Sequence, residues 1–483
     1  MIAESAPRGQ VVSAAVIVAS LAVLTGTVVG GHAVSGVALA VMLTVAMAVA
    51  SRRLLSWQSL VALTILVILL IPIRRYRLPG DLPFELEPYR LVVAVIVAGW
   101  LVSLLIDPRI ELRRSGLEGP IALIVVAVVA SLFANPLRVD AVEPTVIKKV
   151  MFLASFVLLF YLIVSCIRSV EAVDSLTKIL VGGGAVVAAC AIAESRTDFN
   201  VFNHVASVIP VLDPFRVPTE ESRGGRLRVF ASSQHPIALG AMFVMLIPLA
   251  VYLARRSSRQ LWWIAALVLA LGAFTTVSRT PVVMLAVVAI MFTWLRPGHM
   301  RRLWPLVVPA LLAVHFALPG TLGSLKSAFS PPGGLVAEQR MGAGTRGSGR
   351  IADLGPSLRE YSAKPLFGQG FGTRIVDREG GNAPILDNQW LGTLLELGAI
   401  GALAWLWLFA RVVRRISRAA KEDESDVGWL LAAIAASVAA YAVGMFMYDA
   451  FAFTQVTFVL FVLLGLGASV LLQRERASAP ASL

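Results

Sequence analysis

Asp387-Asn388-Gln389-Trp390-Leu391-Gly392-Thr393-Leu394-Leu395-Glu396-Leu397-Gly398 opens an apolar run that continues to Ala410. The stretch before it, 320–388, is the longest polar segment of the chain. It holds Pro331-Pro332-Gly333-Gly334, a Gly/Arg-rich run from Arg340 to Arg350, and Lys364-Pro365-Leu366-Phe367-Gly368-Gln369-Gly370-Phe371-Gly372. An apolar run of about 20 residues matches the thickness of a bilayer core. A loop this long inside a compact fold is uncommon and more often functional than idle. The junction therefore reads as a loop outside a membrane feeding directly into a span, with the loop as floor or lid of a site.

Outward from that junction the pattern repeats. The 483 residues are 58% hydrophobic and 15% charged, where a soluble chain is about 25% charged. Apolar spans fall near 11–30, 33–50, 57–73, 91–106, 119–134, 150–166, 176–194, 236–254, 261–277, 281–295, 304–319, 389–410, 428–447 and 452–472. The expected fold class is all-α: a polytopic integral membrane protein of about 14 transmembrane helices, with a long extracytoplasmic loop between spans 11 and 12. The first span, behind the single Arg8, reads as a retained helix rather than a cleaved signal. Residues 1–194 are expected to form a transmembrane scaffold. Residues 195–483, with the loops 195–235 and 320–388, are expected to carry the function.

Net charge is +13. In a soluble chain this would suggest nucleic acid; here the basic residues mark topology, and no nucleic-acid partner is expected. With the N-terminus inside, inner connections hold Arg52 and Arg53; Arg109, Arg113 and Arg114; Arg255, Arg256 and Arg259; Arg296, Arg301 and Arg302; Arg411, Arg414, Arg415, Arg418 and Lys421; and Arg474 and Arg476. This is the positive-inside pattern. Only 167–175 does not contribute, setting Arg168 against Glu171 and Asp174. Both termini are expected on the cytoplasmic side of the inner membrane. Cys166 and Cys190 lie in apolar runs and read as small hydrophobes.

The unusual polar residues gather toward the outer face. Arg228 precedes the span at 236, Arg279 sits in the turn Thr275-Thr276-Val277-Ser278-Arg279-Thr280-Pro281, and Arg350 lies in the long loop. Arginine at membrane depth is costly and marks function, and converging guanidinium groups suit a pyrophosphate. Plainer readings stand beside these. Arg279 also fits a headgroup anchor, Arg228 fits loop charge like Arg223 and Arg226, and Asp387 or His235 fits a helix N-cap. Glu396, in mid-span, needs a partner. Glu194 and Asp449 read as interfacial, and Lys178 as a snorkelling anchor. No P-loop, metal cluster, Gly-x-Ser-x-Gly or dinucleotide fingerprint is present, so neither metal nor cofactor is expected. An enzyme here would use a donor already presented outside.

Four stretches together resemble the O-antigen ligase / O-antigen polymerase superfamily of bacterial membrane glycosyltransferases. They are Arg228 with Phe230 and His235-Pro236-Ile237-Ala238-Leu239-Gly240; Ser278-Arg279-Thr280; Arg350-x3-Leu354 with Pro365-Leu366-Phe367-Gly368-x-Gly370-x-Gly372; and Asp387-Asn388-x-Trp390-Leu391 with Glu396-Leu397-Gly398 and Gly401. The resemblance implies a polyprenyl-pyrophosphate-linked glycan donor, a glycan acceptor, and partners in a polysaccharide export or assembly system. It implies Asp387, Arg350 and Arg279 as catalytic residues, and Arg228, His235, Asn388, Gln389 and Glu396 as substrate-binding ones. Ligases carry His where this chain has Asp387, which favours a polymerase over a ligase. A lipid-linked glycan flippase is the reading from another class; it expects polar residues along a path through the bilayer.

Overall fold

The computed structural model describes residues 56–79, 85–216, 222–223, 226–257, 259–306, 353–376, 382–383 and 385–478, with scattered positions between 309 and 329. The helices that matter are α1 (Trp57–Leu70), α2 (Pro88–Ile106), α3 (Glu118–Phe133), α4 (Glu143–Cys166), α5 (Val170–Thr197) and α6 (Pro236–Ser257). They continue with α7 (Gln260–Thr275), α8 (Arg279–Leu295), α9 (Leu354–Ser362), α10 (Gln389–Glu422), α11 (Asp426–Gly444) and α12 (Thr454–Ser478). Two antiparallel ribbons of two residues per strand are added: β1 (Tyr76–Arg77) with β2 (Asp213–Pro214), and β3 (Ser222–Arg223) with β4 (Arg226–Leu227).

Among the described residues, seven helices are long and apolar enough to cross a membrane, namely α2, α4, α5, α6, α10, α11 and α12. α1, α3, α7 and α8 are shorter apolar helices. Each of the eleven coincides with an expected span. The expected spans at 11–30 and 33–50 lie outside the described residues, as does most of 304–319 beyond Leu306. Local chemistry sets several starts. Ser56, Ser169 and Ser425 accept hydrogen bonds from Ser59, Ala172 and Val427 amides, and Pro88 occupies the first turn of α2, where a missing N–H costs nothing.

Packing separates centre from periphery. The apolar windows of α6 and α12 are 89% buried, whereas that of α4 is 39% buried. A helix apolar on all sides yet half-exposed, such as α4 or α2, presents that surface to lipid. The core runs through both halves of the chain, from Leu60 to Leu471.

The up-and-down course collects 71–79, 85–87, 134–142, 198–216, 226–235, 276–278, 363–376, 385–388 and 445–453 at one end of the bundle. Arg75 donates to Asn203 Oδ1 (3.1 Å) and the Ser233 carbonyl (2.6 Å). Asn135 donates to the Gly368 carbonyl (3.1 Å), and Gln455 reaches Ile68 (3.0 Å) and Ser232 (3.2 Å). These bonds make one continuous face, termed here the loop end.

α10 is interrupted. Gly398 takes φ 67°, ψ −166°, so residues 389–397 and 399–422 are two helical pieces. Pro365–Gln369 fills the gap. The Gln369 amide donates to the Leu395 carbonyl (2.9 Å), and the Ala399 amide to the Pro365 carbonyl (2.8 Å). A Cβ on Gly398 would lie 2.2 Å from the Leu366 carbonyl oxygen, and one on Gly368 2.5 Å from the Glu396 carbonyl carbon. The two glycine motifs thus require each other: both take positive φ, and the backbones touch where any side chain would intrude.

Candidate active site at the loop end

The α7–α8 turn is built tightly. The Thr275 and Thr276 hydroxyls donate back to the Gly272 (2.7 Å) and Ala273 (2.8 Å) carbonyls, and Val277 takes φ 45°. Arg279, the first residue of α8, is buried, as are Ser278 and Thr280. Arg228 is also buried, and its Nε donates to the Thr276 carbonyl (3.3 Å). Two predicted arginines therefore meet at one turn. Gly240 explains the end of the His-Pro-Ile-Ala-Leu-Gly stretch: a Cβ there would lie 2.3 Å from Pro281 Cγ and 2.9 Å from Thr276 Oγ1. His235 does cap α6, its Nδ1 accepting from the Ile237 amide (3.1 Å).

The organiser of the loop end is 445–453, which the sequence does not single out. The Gln389 amide donates to the Met445 carbonyl (2.8 Å), and the Phe451 amide to Gln389 Oε1 (2.9 Å). Trp390 Nε1 donates to the Ala442 carbonyl (2.9 Å). On its other side, a Cβ on Gly444 would meet Met284 Sδ of α8 at 2.8 Å. α8 and the start of α10 thus flank the same end of α11. His235 joins through aromatic rings, stacked 5.2 Å from Phe453, which lies 5.9 Å from Tyr448.

Asn388, not Asp387, is the N-cap of α10: its side chain accepts from the Leu391 amide (3.1 Å). Asp387 stands one residue earlier with φ 47°, a conformation that Asp tolerates better than most residues. It faces Asp449, expected as an interfacial residue but instead embedded here. Burial pushes the Asp449 carboxyl up to about 6, and the charges of Asp387 and Glu396 add to the rise. The Asn388 amide, bonded to that carboxyl, and the Lys149 charge oppose it. Like charges close together disfavour double ionisation, and the Asp387 charge adds to the rise at Asp449 in that way.

Glu396 has the partner that its depth demands. Lys149 Nζ of α4 lies 3.0 Å from its Oε1 and also donates to the Arg374 carbonyl (3.3 Å). The neighbouring loop is fastened as well. Lys364 bonds Asn135, Arg138 bonds Gln369 (2.5 Å), and buried Arg374 pairs with Glu360 (2.8 Å). Just before this loop lies the short helix α9, with Leu354 and Leu358 exposed. Glu194 also differs from expectation: its carboxylate accepts from the Phe230 (3.1 Å) and Ala231 (2.8 Å) amides, anchoring the Arg228 segment. Lys178 pairs with Asp174 (2.7 Å).

Of the predicted site residues, Arg228 and Arg279 share one turn, and Asp387, Asn388, Gln389 and His235 gather about 445–453. Glu396 lies a helical piece away. The Asn388 and Gln389 side chains are engaged within the protein. Arg350 lies outside the described residues. Lys149 escapes the sequence reading, and Asp449 reads there as interfacial rather than as part of the site, because their partners are distant in the chain.

A family model described as O-Antigen ligase matches residues 264–406. No curated protein matches the chain. The matched stretch runs through α7 and α8, the long loop and the first part of α10, including its break. Residues 264–406 of this multi-pass helical membrane protein are thus similar to the O-antigen ligase/polymerase superfamily.

Proposed function

We propose that the chain polymerises a cell-surface polysaccharide. It would transfer a glycan from a polyprenyl-pyrophosphate carrier to a sugar hydroxyl at the outer face of the cytoplasmic membrane. The observation that supports this reading is the packing of buried Arg228 against the turn that carries buried Arg279, beside the same end of α11 as Asp387 and Asp449. In this reading the arginines, with Arg350, neutralise the pyrophosphate as its bond to the anomeric carbon breaks. Charge stabilisation of that kind is often the largest catalytic term. The acceptor oxygen attacks from the opposite side while Asp387 takes its proton, so the anomeric configuration inverts without a metal. Asp449, its carboxyl pushed up to about 6 mainly by burial, stands beside that base as a second acid at the site. His235, Asn388 and Gln389 line the acceptor side, and Glu396 acts through Lys149.

An aspartate at 387 favours repeat-unit polymerisation; a ligase passing a finished glycan to a lipid or protein is the second reading. A flippase is disfavoured by the clustering of polar groups at one end. The test is lipid-linked glycan profiling in cells with wild type, Arg350→Ala or Asp387→Ala. Single repeat units accumulating on the carrier, with long chains lost, is the expected result. Finished long chains left on the carrier would make it a ligase. An unchanged profile in both variants would remove the site assignment and return transport to the front.

A further inference from the structure

The loop end holds a second group of cations, between α2 and α4, that the proposed reaction does not use. Glu87, the residue before α2, is 1% exposed at its side chain and pairs with Arg90 (2.5 Å), and its other oxygen accepts from the Arg74 amide (2.5 Å). The Arg90 guanidinium lies 5.3 Å from the Phe152 ring centroid of α4. Lys148 is one turn before Phe152 and so shares its face; it stands within electrostatic reach of Arg90, Arg74 and Glu87. Arg216 is brought in by the β1–β2 ribbon, because the Phe215 amide donates to the Arg75 carbonyl (3.0 Å). Its charge acts on Arg74.

Three cations, Arg74, Arg90 and Lys148, thus act on one interior carboxylate, with Arg216 beside Arg74 and the exposed Glu85 the other described acid in reach. The plain reading is a structural ion pair with a basic rim. That reading accounts for Arg90 and Glu87 but leaves an excess of positive charge brought together from three separate segments. Below the cations the α4 surface is apolar and open, with Ile147 49% and Met151 66% exposed. Positive charge over an exposed aliphatic face fits an amphiphile better than a soluble anion.

We propose that this cluster binds the phosphate of a membrane lipid, with the acyl chain lying along Ile147 and Met151 of α4. The site is separate from the glycan-transfer site and does not depend on that assignment. The test uses native mass spectrometry of the purified full-length protein with phosphatidic acid, with diacylglycerol of the same chains, and with inorganic phosphate as competitor. Phosphatidic acid should bind at least tenfold more tightly than diacylglycerol. Lys148→Gln with Arg216→Gln, both solvent-exposed positions, should cut that binding at least fivefold, while Arg418→Gln at the opposite end changes nothing. Equal binding of diacylglycerol, displacement by inorganic phosphate at matching concentration, or undiminished binding by the double variant at unchanged melting temperature would each overturn the proposal.

Discussion

The two ends of the bundle treat charge differently. At the end opposite the loops, basic groups are spent on carbonyls and rings. Arg296 donates to the Ala420 (2.7 Å) and Asp423 (2.6 Å) carbonyls, Arg474 to the Ala419 carbonyl (2.6 Å), and Arg415 to the Ser115 carbonyl (2.9 Å). Arg255 stacks 4.3 Å from the Trp429 centroid, and Lys421 3.7 Å from that of Trp294. Such contacts tie helix ends together and match the basic residues read as topology signals. At the loop end, acids are brought close to acids, and arginines are drawn into a turn with φ above zero. Bringing Asp387 beside Asp449 costs stability, and a fold keeps such a cost where chemistry repays it. One end fastens helices; the other, in the proposed reading, holds the reacting groups.

The sharpest way to break this contrast is to exchange roles. Arg279→Ala should lower glycan transfer about 100-fold or more, with the protein still inserted, whereas Arg296→Ala should leave transfer per folded molecule near wild type while lowering the melting temperature. In-vitro transfer normalised to folded protein separates them, and comparable transfer losses in both would erase the distinction. Next in size is Lys149→Met. It leaves Glu396 in the span without its cation; with Lys149 36% exposed at its side chain, the loss should be about 2 kcal/mol, below that of a fully buried pair. Adding Glu396→Gln should recover most of the melting temperature, and no recovery would mean that Lys149 matters for another reason.

Gly398→Ala comes third, since its Cβ would meet the Leu366 carbonyl at 2.2 Å and positive φ alone costs about 1 kcal/mol. Limited proteolysis should then cut within 363–376, where wild type resists. The smallest effect is the pH dependence carried by Asp449. Its carboxyl is raised from 3.8 to about 6, so between those values the folded protein binds more protons than the unfolded chain. Stability contributed by this group therefore falls as pH rises through the window. Melting curves of Asp449→Asn should lack that slope; an identical slope would place the titrating group elsewhere.

Much of the scaffold is readable from the chain because a bilayer imposes length and polarity on each span. The eleven described apolar helices start and stop near the residues that hydropathy marks, and Ser278-Arg279-Thr280 is conspicuous as a polar turn between apolar runs. What pattern cannot carry is pairing across the bundle. Lys149 and Glu396 are 247 residues apart. Asp387 and Asp449 come together only because Gln389 and Trp390 dock on the end of α11. The break at Gly398 is equally silent, since Glu-Leu-Gly-Ala-Ile-Gly reads as continuous helix until the loop that fills the gap is in place.

That break bears on how the protein is made. A membrane-inserting apparatus meets 389–410 as an uninterrupted greasy segment and accepts it as such. The carbonyls and amides about residue 398 then sit at membrane depth and must be matched by protein, and Pro365–Gln369, synthesised just before, is the partner. A complete span therefore requires both lipid entry and the clasp of the preceding loop, whose Pro365 carbonyl accepts from the Ala399 amide. A chain with the first and not the second would expose bare backbone for quality-control proteases to recognise.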